Sequence, residues 1–131
     1  NDKGDNVAPQ KVEGMLTLQD EIAQAMIYGD RKPHMVAVLV PDPEWTAEWF
    51  AKSGAKCSLA KLRENADFRA ALGAAVERVN KDLSVIERVR RFIIADAAFT
   101  IENEQMTPSL KIRRHVLKDV YGERLNALYK Q

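Results

Sequence analysis

The stretch Met106 to Arg114, MTPSLKIRR, sets one lysine, Lys111, behind a proline-bearing turn and directly ahead of a basic helix start. Pro108 and its polar neighbours can restrain that loop, so that a long flexible cation is offered from a fixed base. Arg113 and Arg114 follow at once, and Lys111 to Gln131 carries six Lys/Arg against two Asp/Glu. A locally basic tail of this kind either attracts a phosphate-bearing partner or is a solvated helical face. From the residues alone both readings stand, for Lys111 and for the two arginines. Gly4 has two readings of its own. It supplies a positive φ in a turn, or its missing Cβ lets a ligand run close to the backbone.

Other chemistry finds no support in the residue pattern. His34 and His115 are far apart, Cys57 stands alone, and no Cys/His spacing matches a zinc site, so no metal ligand is expected. The chain has no G-x-S-x-G nucleophile motif, no G-x-G-x-x-G and no Walker-type phosphate loop. Its own residues describe no complete active site.

The elements that must position these residues read as a small α+β domain: a central, mainly antiparallel sheet of about three strands flanked by helices, with an N-terminal hairpin remnant at Asn1 to Val7. Pro9 suits the first turn of a helix burying Val12, Met15 and Leu16. AQAMIYGD gives a short strand closed by Gly29-Asp30, and MVAVLV, Met35 to Val40, a fully buried one; GDRKPH between them makes an antiparallel connection. Asp42-Pro43-Glu44 starts a helix that puts Trp45 and Trp49 on one core-facing side and stops at Gly54. Phe68, Leu72, Val76, Val79 and Leu83 recur at steps of four and three, marking the main amphipathic helix. RFIIAD, Arg91 to Asp96, is a third strand. Val116, Leu117, Val120, Tyr121, Leu125 and Leu128 supply the buried stripe of a last helix.

At 131 residues, 46% hydrophobic and 30% charged, the chain suits one globular domain with a real core. No apolar run approaches membrane-spanning length, and nothing at the start reads as a signal peptide. A single cysteine excludes an internal disulfide and fits a reducing compartment.

Four stretches in this order, GDNVAPQKVEG (Gly4 to Gly14), YGDRKPHMVAVLVPD (Tyr28 to Asp42), FTIENEQMTPSLKIRR (Phe99 to Arg114) and the terminal pair Leu128-Tyr129, give the chain a resemblance running nearly end to end. It resembles the C-terminal domain of adenylate-forming acyl-CoA synthetases, most closely the long-chain fatty acid branch. The resemblance implies that residues 1–131 are the mobile lid of a cytoplasmic ligase, inactive alone, with a large N-terminal adenylation domain as partner and any membrane contact made through that domain. ATP, CoA and a fatty acid are then the substrates, and Mg2+ accompanies ATP without being bound by this domain.

For Lys111 the resemblance implies the lysine of adenylation, where a carboxylate attacks the α-phosphate of ATP and pyrophosphate leaves. For Gly4 it implies contact with the CoA pantetheine after the domain rotates, and for Arg113 and Arg114 positive potential near nucleotide phosphates. The chain departs from many family members in having Leu110 and Ser109 where a glycine and a threonine precede the lysine; TPSLKIRR is closer to the long-chain version. The alternative is a non-enzymatic basic α+β module binding nucleic acid or an acidic protein through Arg88, Arg90, Arg91 and the 111–118 region. Against nucleic acid, no aromatic and basic residues interleave along a strand as a single-strand platform needs.

Overall fold

A computed structural model describes residues 7–130. The expected N-terminal hairpin therefore lies outside the described residues. Helix α1, Pro9–Leu16, opens with its proline in the first turn and buries Val12 and Leu16, one helical turn apart. Strands β1 (Ile22–Tyr28) and β2 (Met35–Pro41) pair antiparallel across the turn at 29–34. Helix α2, Pro43–Ser53, starts on Asp42, whose carboxylate accepts the Trp45 N–H at 3.0 Å, and ends at Gly54 in the left-handed conformation. Helix α3, Ala66–Asn80, is capped by Asn65 through the Phe68 N–H at 2.9 Å.

Strand β3, Val89–Ile94, lies parallel to β2, so the sheet order is β1-β2-β3 and its pairing is mixed. The long connection carrying α2 and α3 permits this crossover, which no tight turn could make. Entry to β3 is fixed by buried Asn80, which donates to the Val89 carbonyl at 2.9 Å and accepts the Val89 N–H at 3.0 Å. Its side chain thus stands in for a strand neighbour. Helix α4, Arg114–Ala127, covers the remaining face.

Two cores follow from the central strand. Met35, Ala37 and Leu39 face α1 and α3, packing against Val12, Leu16, Phe68, Leu72, Val76 and Val79. Val36, Val38 and Val40 face α4 and pack against Leu117, Tyr121, Leu125 and Leu128. The α4 stripe is thus narrower than its composition suggests. Val120 is 46% exposed, because Leu117, Tyr121 and Leu125 at steps of four already fill the sheet-facing side. Trp45 and Trp49 border the first core rather than entering it; both rings lie 5.3 Å from Phe68.

The two helical layers are joined at the end of β3. Asp96 accepts from Arg124 of α4 at 3.0 and 2.8 Å and from Arg63, before α3, at 2.9 Å, while its N–H donates to the Tyr121 hydroxyl. The Arg124 hydrogen bond, reinforced by the charges of Arg124 and Arg63, holds its carboxyl below the usual aspartate range against the opposing effect of burial. A carboxyl whose folded-state pKa is depressed stabilises the fold above its unfolded pKa, about 3.9, and loses that contribution as pH falls through the folded value. Asp96→Asn should therefore cost stability at neutral pH and flatten the decline of the unfolding midpoint below about pH 4. The side chain is half exposed, so the effect is about 1 kcal/mol or less. Urea titrations across pH check it; a variant whose acid limb parallels the parent's rules the linkage out.

Candidate functional site

Lys111 sits on a small hairpin built by its own neighbours. Met106 and Ile112 form an antiparallel bridge, and the Leu110 N–H donates to the Thr107 carbonyl at 2.8 Å across Pro108-Ser109. Pro108 thus takes the second position of a β-turn, which its fixed φ suits. Leu110 then adopts φ 65°, the left-handed region that usually selects glycine. Both backbone groups of Lys111 are bound to one residue: its carbonyl accepts the Thr107 N–H at 2.8 Å, and its N–H donates to Thr107 Oγ1 at 3.1 Å. The lysine's base is fixed while its side chain is exposed, and no carboxylate among the described residues pairs with its Nζ. Leu110 beside it is 69% exposed. The arrangement can deliver one positive charge, with an apolar neighbour, to a surface opposite it.

The loop leading to this hairpin is pinned at its start by Gln24 of β1. The Gln24 amide accepts the Phe99 N–H at 2.8 Å and donates to the Phe99 carbonyl at 3.0 Å, copying the exchange between paired strands. Thr100 and Asn103 trade backbone and side-chain hydrogen bonds at 3.0 Å, tightening the next turn. On the outer edge of β1 the Ile27 backbone is met instead by Glu13, which accepts its N–H at 2.7 Å, and by Arg114, which donates to its carbonyl at 3.4 Å.

The two arginines diverge from the lysine. Arg113 precedes α4; its N–H donates to the Gln105 carbonyl at 2.8 Å and its guanidinium to the Glu104 carbonyl at 3.1 Å. Arg114 turns toward α1 and grips Glu13 with both terminal nitrogens, at 2.6 and 3.0 Å. Its charge is already matched. Gly4, expected beside the pantetheine, lies outside the described residues.

Residue patterns did not mark Glu13 or Gln24. Each meets its partner from far along the chain, and neither stands in a motif that announces it.

The other basic and aromatic residues singled out in the sequence serve turns elsewhere in the fold. Arg88 bridges the carbonyls of Asn80 and Leu83 at 3.2 Å each, closing the turn after α3. Tyr129, from the terminal pair, donates to the His34 carbonyl at 2.6 Å and so ties the end of the chain to the β1–β2 turn. Burial pushes its phenol up to about 12. Burial, with the charges of Arg90 and Arg91, pulls His34 below its ordinary value. Among the described residues no three His, Cys, Asp or Glu side chains converge on a metal position. No helix among them is long and apolar enough to cross a membrane.

Comparison with known proteins bears on this geometry. A family model described as AMP-binding enzyme C-terminal domain matches residues 2–131. A long-chain-fatty-acid–CoA ligase of Mycobacterium tuberculosis is 33% identical over 128 residues, 96% of this chain and 21% of the ligase. Long-chain-fatty-acid–CoA ligase 6 of Homo sapiens is 32% identical over 97% of this chain and 19% of its own. The chain thus spans about a fifth of the length of the curated relatives it matches. Among solved structures, the A-PCP didomain of a carboxylic acid reductase from Segniliparus rugosus, in complex with AMP, superposes with a TM-score of 0.73 at 31% identity, covering 95% of this chain and 16% of that one.

Proposed function

The chain belongs to the AMP-binding enzyme C-terminal domain family, and from that premise we propose that it is the mobile lid of an AMP-forming long-chain fatty acid CoA ligase. In this reading an N-terminal adenylation domain of the same polypeptide holds ATP and the fatty acid, and the lid closes on it in two orientations. The observation that carries the reading is Lys111: an exposed cation whose backbone is bound on both sides to Thr107. Such a group is ready to meet charge that comes from elsewhere.

In the first orientation the fatty acid carboxylate attacks the α-phosphorus of ATP, a P–O bond forms, and the bond to pyrophosphate breaks. Negative charge spreads over the carboxylate, the phosphoryl oxygens and the leaving group. The Lys111 ammonium, brought into a closed site from which Leu110 helps exclude water, stabilises that distribution without exchanging a proton. One such preorganised donor is worth about 10²–10³ in rate. In the second orientation Lys111 withdraws, and the segment with Gly4 lines the path of the pantetheine arm. The CoA thiol then attacks the acyl carbonyl and AMP leaves. Arg113 lends positive potential to the nucleotide side through its exposed portion; Arg114, matched by Glu13, acts on the hairpin's base instead.

The two orientations are separated by assaying the half-reactions of the complete enzyme independently. Gly4→Val should slow thioester formation from supplied acyl-adenylate by roughly tenfold, about 1.4 kcal/mol of barrier, while pyrophosphate release in the first step changes little. Unchanged CoA-dependent turnover removes Gly4 from the site. A second reading, a lid on the adenylation domain of a carboxylic acid reductase, draws on the 31% identity to the didomain of that class. Release of a CoA thioester rather than a reduced acid by the complete enzyme decides between them.

A further inference from the structure

The hydrogen bonds inside the Lys111 hairpin fix its shape, but they do not fix where it points. Direction is set by what ties the hairpin to the body of the domain. At the entrance that tie is Gln24 on Phe99, and at the exit it is Arg114, three residues beyond the lysine, on Glu13. Glu13 is an unusual anchor. It lies on α1 and is only 8% exposed, yet it carries a carboxylate. That carboxylate accepts the Ile27 N–H of β1 at 2.7 Å and both terminal nitrogens of Arg114, so α1, β1 and the first residue of α4 meet at one group. Charge-assisted, bidentate bonds between a guanidinium and a carboxylate add geometric specificity as well as energy. α1 belongs to the layer on one face of the sheet and α4 to the other, so the pair reaches around the edge of β1.

Resting on the assignment of Lys111 made above, we propose that Glu13 is a positioning residue for adenylation: it orients the lysine hairpin through Arg114, and it makes α1 and the hairpin turn as one rigid body. A misplacement of about 1 Å at a reacting centre costs on the order of 100-fold in rate, so a looser exit from the hairpin shows in the chemical step. Lys111 keeps its charge and its neighbours when Glu13 is altered. Only its aim changes.

The test uses the complete enzyme and two variants. Glu13→Gln keeps the length of the side chain and an acceptor for Ile27 but removes the charge that grips Arg114. Arg114→Lys keeps a cation but cannot make the bidentate contact, and it serves as the second variant should Glu13→Gln fold poorly. Single-turnover adenylate formation at saturating ATP should slow by about tenfold in each, with the KM for ATP within about twofold of the parent. Thioester formation from supplied acyl-adenylate should be retained. Added to Lys111→Ala, Glu13→Gln should cause no further loss, because a residue acting through the lysine has nothing left to aim.

Equal slowing of both half-reactions, or a tenfold loss repeated in the Lys111→Ala background, overturns the proposal in favour of a merely structural ion pair. Full adenylation by Glu13→Gln and Arg114→Lys beside a collapsed Lys111→Ala overturns the proposal alone. A fully active Lys111→Ala overturns the lysine assignment and this proposal with it.

Discussion

Lys111→Ala in the complete enzyme is expected to lower acyl-adenylate formation by about 10²–10³-fold while thioester formation from supplied acyl-adenylate keeps most of its rate. The asymmetry follows from geometry. Lys111 is exposed, its ammonium has no carboxylate partner among the described residues, and its backbone bonds to Thr107 do not involve the side chain. Truncation therefore leaves the hairpin intact and removes a charge that acts only when the lid faces ATP. The fold should hardly change, so the unfolding midpoint serves as the control. Lys111→Arg should recover only part of the lost rate, because a planar fork cannot reproduce a compact ammonium at the same reach. Pyrophosphate release and CoA-thioester appearance, measured separately, decide the matter. Equal loss in the two steps would reject the division of labour.

Phe68→Ala should be the most destabilising single change in the first core, by about 3–5 kcal/mol. Phe68 is 1% exposed, and α2 contributes no fully buried residue of its own. What holds that helix to the domain is therefore its half-buried aromatic side: Phe50 against the core, Trp45 stacked on the Phe68 ring and Trp49 meeting it edge-on, the last two each at 5.3 Å. Removing the ring opens a cavity against Leu72 and the sheet and also deprives both tryptophans of their partner, a further ~0.5–1.5 kcal/mol per aromatic pair. Phe68→Leu should recover much of the loss, since it refills most of the volume without the ring contacts. Denaturant unfolding followed by tryptophan fluorescence measures both effects. A cost below about 1 kcal/mol for the alanine variant would mean that α2 is held by something else.

Local signals in the chain proved legible where the physics itself is local. Asp42 and Gly54 delimit α2 because a carboxylate cap and a left-handed glycine act within one helical turn. The periodic series from Phe68 marks α3 for the same reason, although its last member, Leu83, lies beyond the helix end at Asn80, and the uninterrupted apolar run marks the central strand. The pairing direction of β3 was not available, since it depends on which way a long crossover packs. Val120 misleads because Val116, Leu117, Val120 and Tyr121 offer two adjacent stripes, and only contact with Val36, Val38 and Val40 selects one. The hairpin around Lys111 could be foreseen from Pro108 and its polar flanks. Its anchors could not: Gln24 meets Phe99 across 75 positions and Glu13 meets Arg114 across 101. Two consecutive arginines look alike in the chain, yet one joins the loop and the other the opposite layer.

The parallel neighbour of the central strand has a consequence for how the molecule is made. Six of the seven residues of β2 are buried, on both of its faces, yet β3 leaves the ribosome only after the whole of α2 and α3. Until then one flank of an apolar ribbon has no mate, and pairings that close late are slow and vulnerable to association with other chains. A translational stall after β2 has emerged and before β3 has is therefore the stage at which aggregation of this domain is expected to begin.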